Sequence, residues 1–142
     1  MTTINTYLTF NGNCEEVFNF YASVFGNQTL TFSRFKEFHS EAMGDEMSEG
    51  EKIMHVALPI GHGTVLMGSD TVAAMGGVTF GNNFSLSLQV DSMEEADKFY
   101  KQLSTGGDAT MPLDHAPWGA YFGMLTDQFG IQWMINHDNS QQ

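Results

Sequence analysis

The sequence predicts an α+β fold of two like modules, each reading strand, helix, then three more strands, and three observations lead there. Part of the chain is written twice: Glu15-Glu16-Val17-Phe18-Asn19-Phe20-Tyr21 returns as Glu94-Glu95-Ala96-Asp97-Lys98-Phe99-Tyr100, each copy after an alternating segment. A repeat at about half the chain length marks two units, neither large enough to bury a core alone. The composition, 42% hydrophobic and 13% aromatic over 142 residues, suffices for one compact domain and is too little for two large ones. Between the copies, residues 71–83 carry Gly76, Gly77, Gly81, Asn82 and Asn83, a natural linker. One domain over 1–142 is therefore expected, with modules at about 1–72 and 82–138 paired about a pseudo-twofold axis and a cleft between them.

The elements follow in order. A first strand runs from about Ile4 to Phe10, and Asn11-Gly12-Asn13 turns it into a helix ending near Phe25, with Gly26 placed to take the left-handed conformation just past its end. Phe20 of that helix is expected in the core. A second strand spans about Thr29 to Phe35. Residues 37–51 hold Glu37, Glu41, Asp45, Glu46, Glu49 and Glu51 without strand or helix periodicity, so a solvated loop is expected. Its carboxylates lack the Asp-x-Asp-x-Asp-Gly order of a calcium loop. Ile53–Ile60 and Thr64–Ser69 form a hairpin about Gly61-His62-Gly63, whose glycines do not make a nucleotide loop because Leu66 stands in the third glycine's place and no helix follows. The second module gives a strand at Phe84–Val90, a helix capped by Asp91 or Ser92 and stopped by Gly106-Gly107, and strands near 109–113, 121–126 and 131–136. Pro117-Trp118-Gly119 and Asp127-Gln128-Phe129-Gly130 make the turns between these last strands.

Strand phase says where a site belongs. Side chains alternate across a strand, so Leu8 and Phe10 oppose Asn5, Tyr7 and Thr9, while Met54, Val56, Leu58 and Ile60 oppose His55. In the second module Phe84, Leu86, Leu88 and Val90 oppose Ser85, Ser87 and Gln89, and Ile131, Trp133 and Ile135 oppose Gln132, Met134 and Asn136. The apolar faces are expected to carry the helices on the outside. The other faces then offer hydroxyl, phenol, imidazole, amide and thioether groups, a lining suited to a small organic ligand.

Charge and composition narrow the classes. Five Lys plus Arg against seventeen Asp plus Glu leave a net charge of -12, which repels phosphate backbones and anionic lipid, so nucleic acid and membrane partners are not expected. A cationic ligand would be favoured. No run approaches the roughly 20 apolar residues of a membrane span, and the N-terminus carries no basic and apolar leader pattern. One cysteine, Cys14, cannot make an internal disulfide and fits a reducing, cytoplasmic location. Its place at a helix start could lower its pKa, but with no histidine near it in sequence a structural role is expected.

These features together resemble the vicinal oxygen chelate superfamily of glyoxalase I, bleomycin-resistance proteins and extradiol dioxygenases, and within it the PhnB-like branch. The matching segments are Tyr7 to Glu16, Phe20-Tyr21 with Phe25-Gly26, Ile53-Met54-His55, Leu66 to Asp70, and Trp118 to Trp133. The resemblance implies paired β-α-β-β-β modules, a curved mixed eight-stranded sheet around a cleft, and a homodimer. Metal-dependent members hold a divalent ion with His, Gln or Glu from the first, fourth, fifth and eighth strands. Here those positions fall on Asn5 or Tyr7, on Met67 or Gly68, on Ser85 or Ser87, and on Met134. Such groups are poor partners for zinc, iron or manganese, so neither that metal site nor any other cofactor is expected. The demethylubiquinone methyltransferase label that this branch sometimes carries is discounted, because no glycine-rich strand-to-helix turn for S-adenosylmethionine is present.

Of the five histidines only His55 is central to an expected strand; His39, His62, His115 and His137 fall in loops, at a turn or in the tail, and no pair stands at metal-ligand spacing. Trp118, held by Pro117 and Gly119, is placed to wall the cleft, Trp133 to pack in the core, and Asp127 to cap its turn. The ligand-binding set is then Asn5, Tyr7, His55, Met67, Ser85, Ser87, Trp118 and Met134. The expected function is metal-free binding of a small organic ligand in the cleft between modules. The alternative is a superfamily lyase, isomerase or transferase that uses an unusual metal set or acid/base chemistry at His55 and Tyr7.

Overall fold

A computed structural model describes residues 2–26, 30–37, 50–61 and 63–138. The chain divides into two compact units, Met1–Thr79 and Phe80–Gln142. The eight strands and two helices expected from the sequence are present, and the strands hydrogen-bond as two four-stranded mixed sheets, one in each unit. Most of the acidic loop, residues 38–49, lies outside the described residues, as does His62 of the hairpin turn.

In the first unit β1 (Thr6–Phe10), β2 (Thr31–Arg34), β3 (Ile53–Ile60) and β4 (Thr64–Asp70) lie in the order β1-β4-β3-β2, with β1 parallel to β4 and the other pairs antiparallel. Helix α1 (Cys14–Phe25) covers one face of this sheet. It ends where the apolar pattern ends, at Gly26, whose φ of 72° is the left-handed conformation that glycine adopts without steric cost. Phe10, Val17, Phe18, Tyr21, Val56 and Leu58 are fully buried between helix and sheet. The helix approaches β4 so closely that a Cβ on Gly68 would stand 2.6 Å from the Phe18 ring. Phe20, expected in the core, is only half-buried, because Phe18 and Tyr21 occupy the inward stripe.

In the second unit β5 (Leu86–Gln89), β6 (Asp108–His115), β7 (Ala120–Thr126) and β8 (Gln132–Asp138) follow the same topology, in the order β5-β8-β7-β6. Helix α2 (Met93–Ser104) packs on β7 and β8 and buries Ala96 and Leu103 against a sheet face carrying Leu125, Trp133 and Ile135. Two units, one repeated plan, is the pattern the doubled sequence implies.

Several boundaries differ from expectation for local reasons. β1 starts at Thr6, leaving Ile4 96% exposed and Asn5 ahead of the strand. β5 begins at Leu86, opposite Trp133; Phe84 and Ser85 precede it, and the Gln132 side-chain amide takes the Phe84 carbonyl instead. Phe84, expected on the buried face, is therefore exposed. Pairing of β2 with β3 steps from Ser33↔His55 to Arg34↔Ile53, so Met54 is an extra residue that reverses the phase before it. Ile53 is consequently buried, and Met54, expected on the inward face, is only half-buried. His115 and His137 lie in β6 and β8 rather than in a turn and the tail.

Candidate functional site

On the sheet face turned away from α1, register brings three expected site residues together. Tyr7 on β1 stands opposite Met67 on β4, and Met67 stands opposite Ala57 on β3, two residues beyond His55. The Tyr7 and His55 rings lie 6.1 Å apart, centroid to centroid. Tyr7 is 47% exposed and His55 and Met67 half-buried, so phenol, imidazole and thioether remain accessible together. Their neighbours Leu8, Leu66 and Val56 are buried on the other face, the separation that period-two alternation demands.

The face of the second sheet turned away from α2 is defined the same way. Ser87 pairs with Met134, and Met134 with Met124. Trp118 is 67% exposed and meets the Phe122 ring edge-on at 5.6 Å, two residues along β7 from Met124. The Asn136 side-chain amide donates to the Gln89 carbonyl oxygen at 2.5 Å, closing the row beside Met134. Asn5 and Ser85, just outside their strands, are placed on neither ladder. A groove of about 580 Å³ at the start of α2, lined in part by Gln89, Asp91, Glu94, His137 and Asp138, contains none of the expected site residues.

Two buried carboxylates organise the turns behind these faces. Asp70, 2% exposed at the end of β4, accepts the backbone N–H groups of Gly12 at 3.0 Å, Cys14 at 2.9 Å and Ile53 at 2.9 Å. Asp127 accepts from the N–H groups of Phe129 and Ile131 and, through its second oxygen, from the Trp133 indole at 2.9 Å. The turn role expected of Asp127 is thus found, and the indole bond is an addition that sequence spacing did not reveal. No local pattern pointed to this role of Asp70, since its partners lie 17 to 58 positions away in sequence.

Among the described residues, Cys14 and Tyr121 are held in their protonated forms. Burial, then the charges of Asp70 and Glu15, push the Cys14 thiol well above its ordinary value, the opposite of a helix-start thiolate. The Tyr121 hydroxyl donates to the Asp97 carboxylate at 2.6 Å, and this bond, with burial and the nearby acids, pushes its pKa up to about 12. His115 packs against Tyr121 at 5.4 Å, and His137 Nδ1 lies 3.2 Å from the Val90 carbonyl. Among the described residues no three of His, Cys, Asp and Glu are grouped to hold a metal ion. The family's divalent ion does not fit the residues at its usual positions: Tyr7 is a phenol, Met67 and Met134 are thioethers and Ser87 is a hydroxyl, a set without imidazole or carboxylate. No helix among the described residues is long and apolar enough to cross a membrane.

Two β-α-β-β-β units, each with a parallel pair at one edge of its sheet and the helix on one face, define a protein of the vicinal oxygen chelate fold. The chain superposes on protein PA1353 from Pseudomonas aeruginosa with a TM-score of 0.80 and 38% identity, covering 97% of this chain and 98% of that one. The PhnB protein from Bacillus cereus matches with a TM-score of 0.74 and 27% identity over 96% and 99% of the two chains. A glyoxalase/bleomycin resistance protein/dioxygenase family enzyme from Burkholderia phytofirmans, 18% identical over 94% and 97%, shares the fold at a TM-score of 0.59. The family model described as 3-demethylubiquinone-9 3-methyltransferase matches residues 2–136. The chain belongs to that family, which is PhnB-like, and shares the glyoxalase/bleomycin resistance/dioxygenase fold.

Proposed function

We propose that this protein binds a small organic ligand on the open sheet faces without a divalent metal, and that it acts as a homodimer. The observation that carries this reading is the cluster of Tyr7, His55 and Met67 on the face away from α1, with two rings 6.1 Å apart and no core role for any of them. Ser87, Met134 and Trp118 supply the corresponding groups in the second unit. A methyltransferase role is not favoured: the two strand-to-helix turns, Asn11-Gly12-Asn13 and Val90-Asp91-Ser92, carry one glycine between them, too few for a nucleotide cradle. The net charge of -12 favours a neutral or cationic ligand.

A thermal-shift screen of organic cations, aromatic amines and neutral controls tests this, since binding to the native state raises apparent stability by mass action. A hit whose shift Tyr7→Ala abolishes supports the assignment; a hit indifferent to Tyr7, His55 and Trp118 exchanges overturns it. Light scattering at micromolar concentration checks the dimer, which a monomer mass would refute.

The Tyr7–His55 contact also favours a second reading, acid/base chemistry on the bound ligand. It predicts that His55→Gln retains binding and loses turnover.

A further inference from the structure

Across the second sheet three methionines stand side by side. Met111 on β6 is register partner to Met124 on β7, and Met124 to Met134 on β8, so three thioethers occupy directly opposed positions on adjacent strands. The shared partner, Met124, lies two residues from Phe122, whose ring carries the exposed Trp118. Met111 is 48% exposed, and Met124 and Met134 are half-buried, so the row lies neither in the core nor in bulk water. The Tyr100 hydroxyl, from α2, lies 2.9 Å from the Met111 carbonyl and 3.0 Å from the Met124 carbonyl, which pins this cross-strand pair at a point where the β6 register is otherwise irregular.

Ordinary core packing would bury this row, as it buries Leu125, Trp133 and Ile135 on the opposite face. Adjacent strands lie about 4.8 Å apart, so the outer two methionines flank the middle strand by roughly that distance on each side. The side chain has three rotatable bonds and can bring its sulfur toward a common centre above β7. Three converging thioethers suit a soft monovalent ion and are poor ligands for zinc, iron or manganese, the reason the family's divalent site does not fit here. The indole and phenyl rings beside the row would limit water access, and the charge of -12 attracts any cation.

We infer that Met111, Met124 and Met134 form a trigonal thioether site for Cu(I), with Ag(I) as its redox-inert equivalent. The site goes beyond the organic-ligand reading and shares only Met134 with it.

Anaerobic competition between the intact protein and Cu(I) bicinchoninate tests the inference, with Ag(I) titration in parallel. One ion per chain is expected, and Met111→Leu, Met124→Leu and Met134→Leu should each weaken uptake by about tenfold or more, because each removes a ligand. Leucine nearly conserves methionine's volume, so these variants should fold. Met54→Leu, in the first unit, should leave uptake unchanged. In the unaltered protein the methyl NMR signals of Met111, Met124 and Met134 should shift together with Ag(I). Absence of uptake, shifts confined to other methionines, or uptake that the three leucine exchanges leave intact, as binding at Cys14 would be, overturns the site.

Discussion

At the scale of single residues, the most consequential groups are two buried carboxylates and a phenol. Asp70 satisfies three backbone donors that arise from the β1–α1 turn and the start of β3. Asp70→Ala leaves the buried Cys14 and Ile53 N–H groups without a partner, at about 1 to 3 kcal/mol for each unsatisfied buried group, while the N–H of exposed Gly12 can turn to water. We expect a total loss of about 3 kcal/mol or more by chemical denaturation, with a smaller loss for Asp70→Asn, which keeps one acceptor oxygen. Tyr121 carries the pH signature. Its pKa is raised from 10.0 to about 12, chiefly because its proton is held by Asp97. A raised pKa means the protonated form is favoured by folding, so this contribution is fully present below pH 10 and is lost as pH rises through about 12. Tyr121→Phe should therefore remove a tyrosinate absorbance that titrates near pH 12. The stability difference between wild type and variant should also shrink over that alkaline window; a difference that stays constant there would show that the bond contributes nothing.

At the scale of elements, the two copies of the repeated helix are held at their starts by different means. In α2 the Ser92 hydroxyl accepts the Glu95 N–H at 3.1 Å, while the Glu95 carboxylate accepts the Asp91 N–H at 3.1 Å. Both bonds close within the five residues 91–95, and so the sequence could narrow the cap to Asp91 or Ser92. In α1 the residue before the helix, Asn13, makes no side-chain cap, and the Cys14 N–H instead reaches Asp70, 56 positions away. No local pattern could have announced it. Ser92→Ala should cost about 1 kcal/mol, read as a lower denaturation midpoint with unchanged slope. Asn13→Ala should cost appreciably less. The same contrast governs the strands: alternation assigned Leu8, Val56, Leu58 and Trp133 to the buried faces, but it failed at Met54, where an extra residue reverses the phase. A bulge depends on how two strands pair, which a single strand's pattern does not carry.

At the scale of the whole molecule, each sheet divides into a helix-covered face that carries the core and an open face whose side chains stay accessible. The open faces were legible because alternation and register agree on Tyr7, Met67, Ser87 and Met134; the row through Met111 and Met124 was not, since it requires knowing which strands are neighbours. Asn5 and Ser85 were misplaced onto strands because the pattern runs past the point where a partner exists. The separation makes a test by contrast. Phe18 is fully buried, meeting Phe10 and Tyr21 edge-on, and Phe18→Ala should cost about 3 to 5 kcal/mol in stability. Trp118 is largely in solvent and Tyr7 is 47% exposed, so truncating either removes less packing than truncating Phe18. Aromatic anchors dominate binding energy, and each truncation should weaken a ligand found by the thermal-shift screen by about 1 kcal/mol or more. Calorimetric titration of Tyr7→Ala and Trp118→Ala, alongside their unfolding midpoints, distinguishes the two effects. Weaker binding at nearly unchanged stability places the ligand on the open faces. Unchanged binding, or a stability loss matching that of Phe18→Ala, would mean that these rings hold the fold together and that the ligand lies elsewhere.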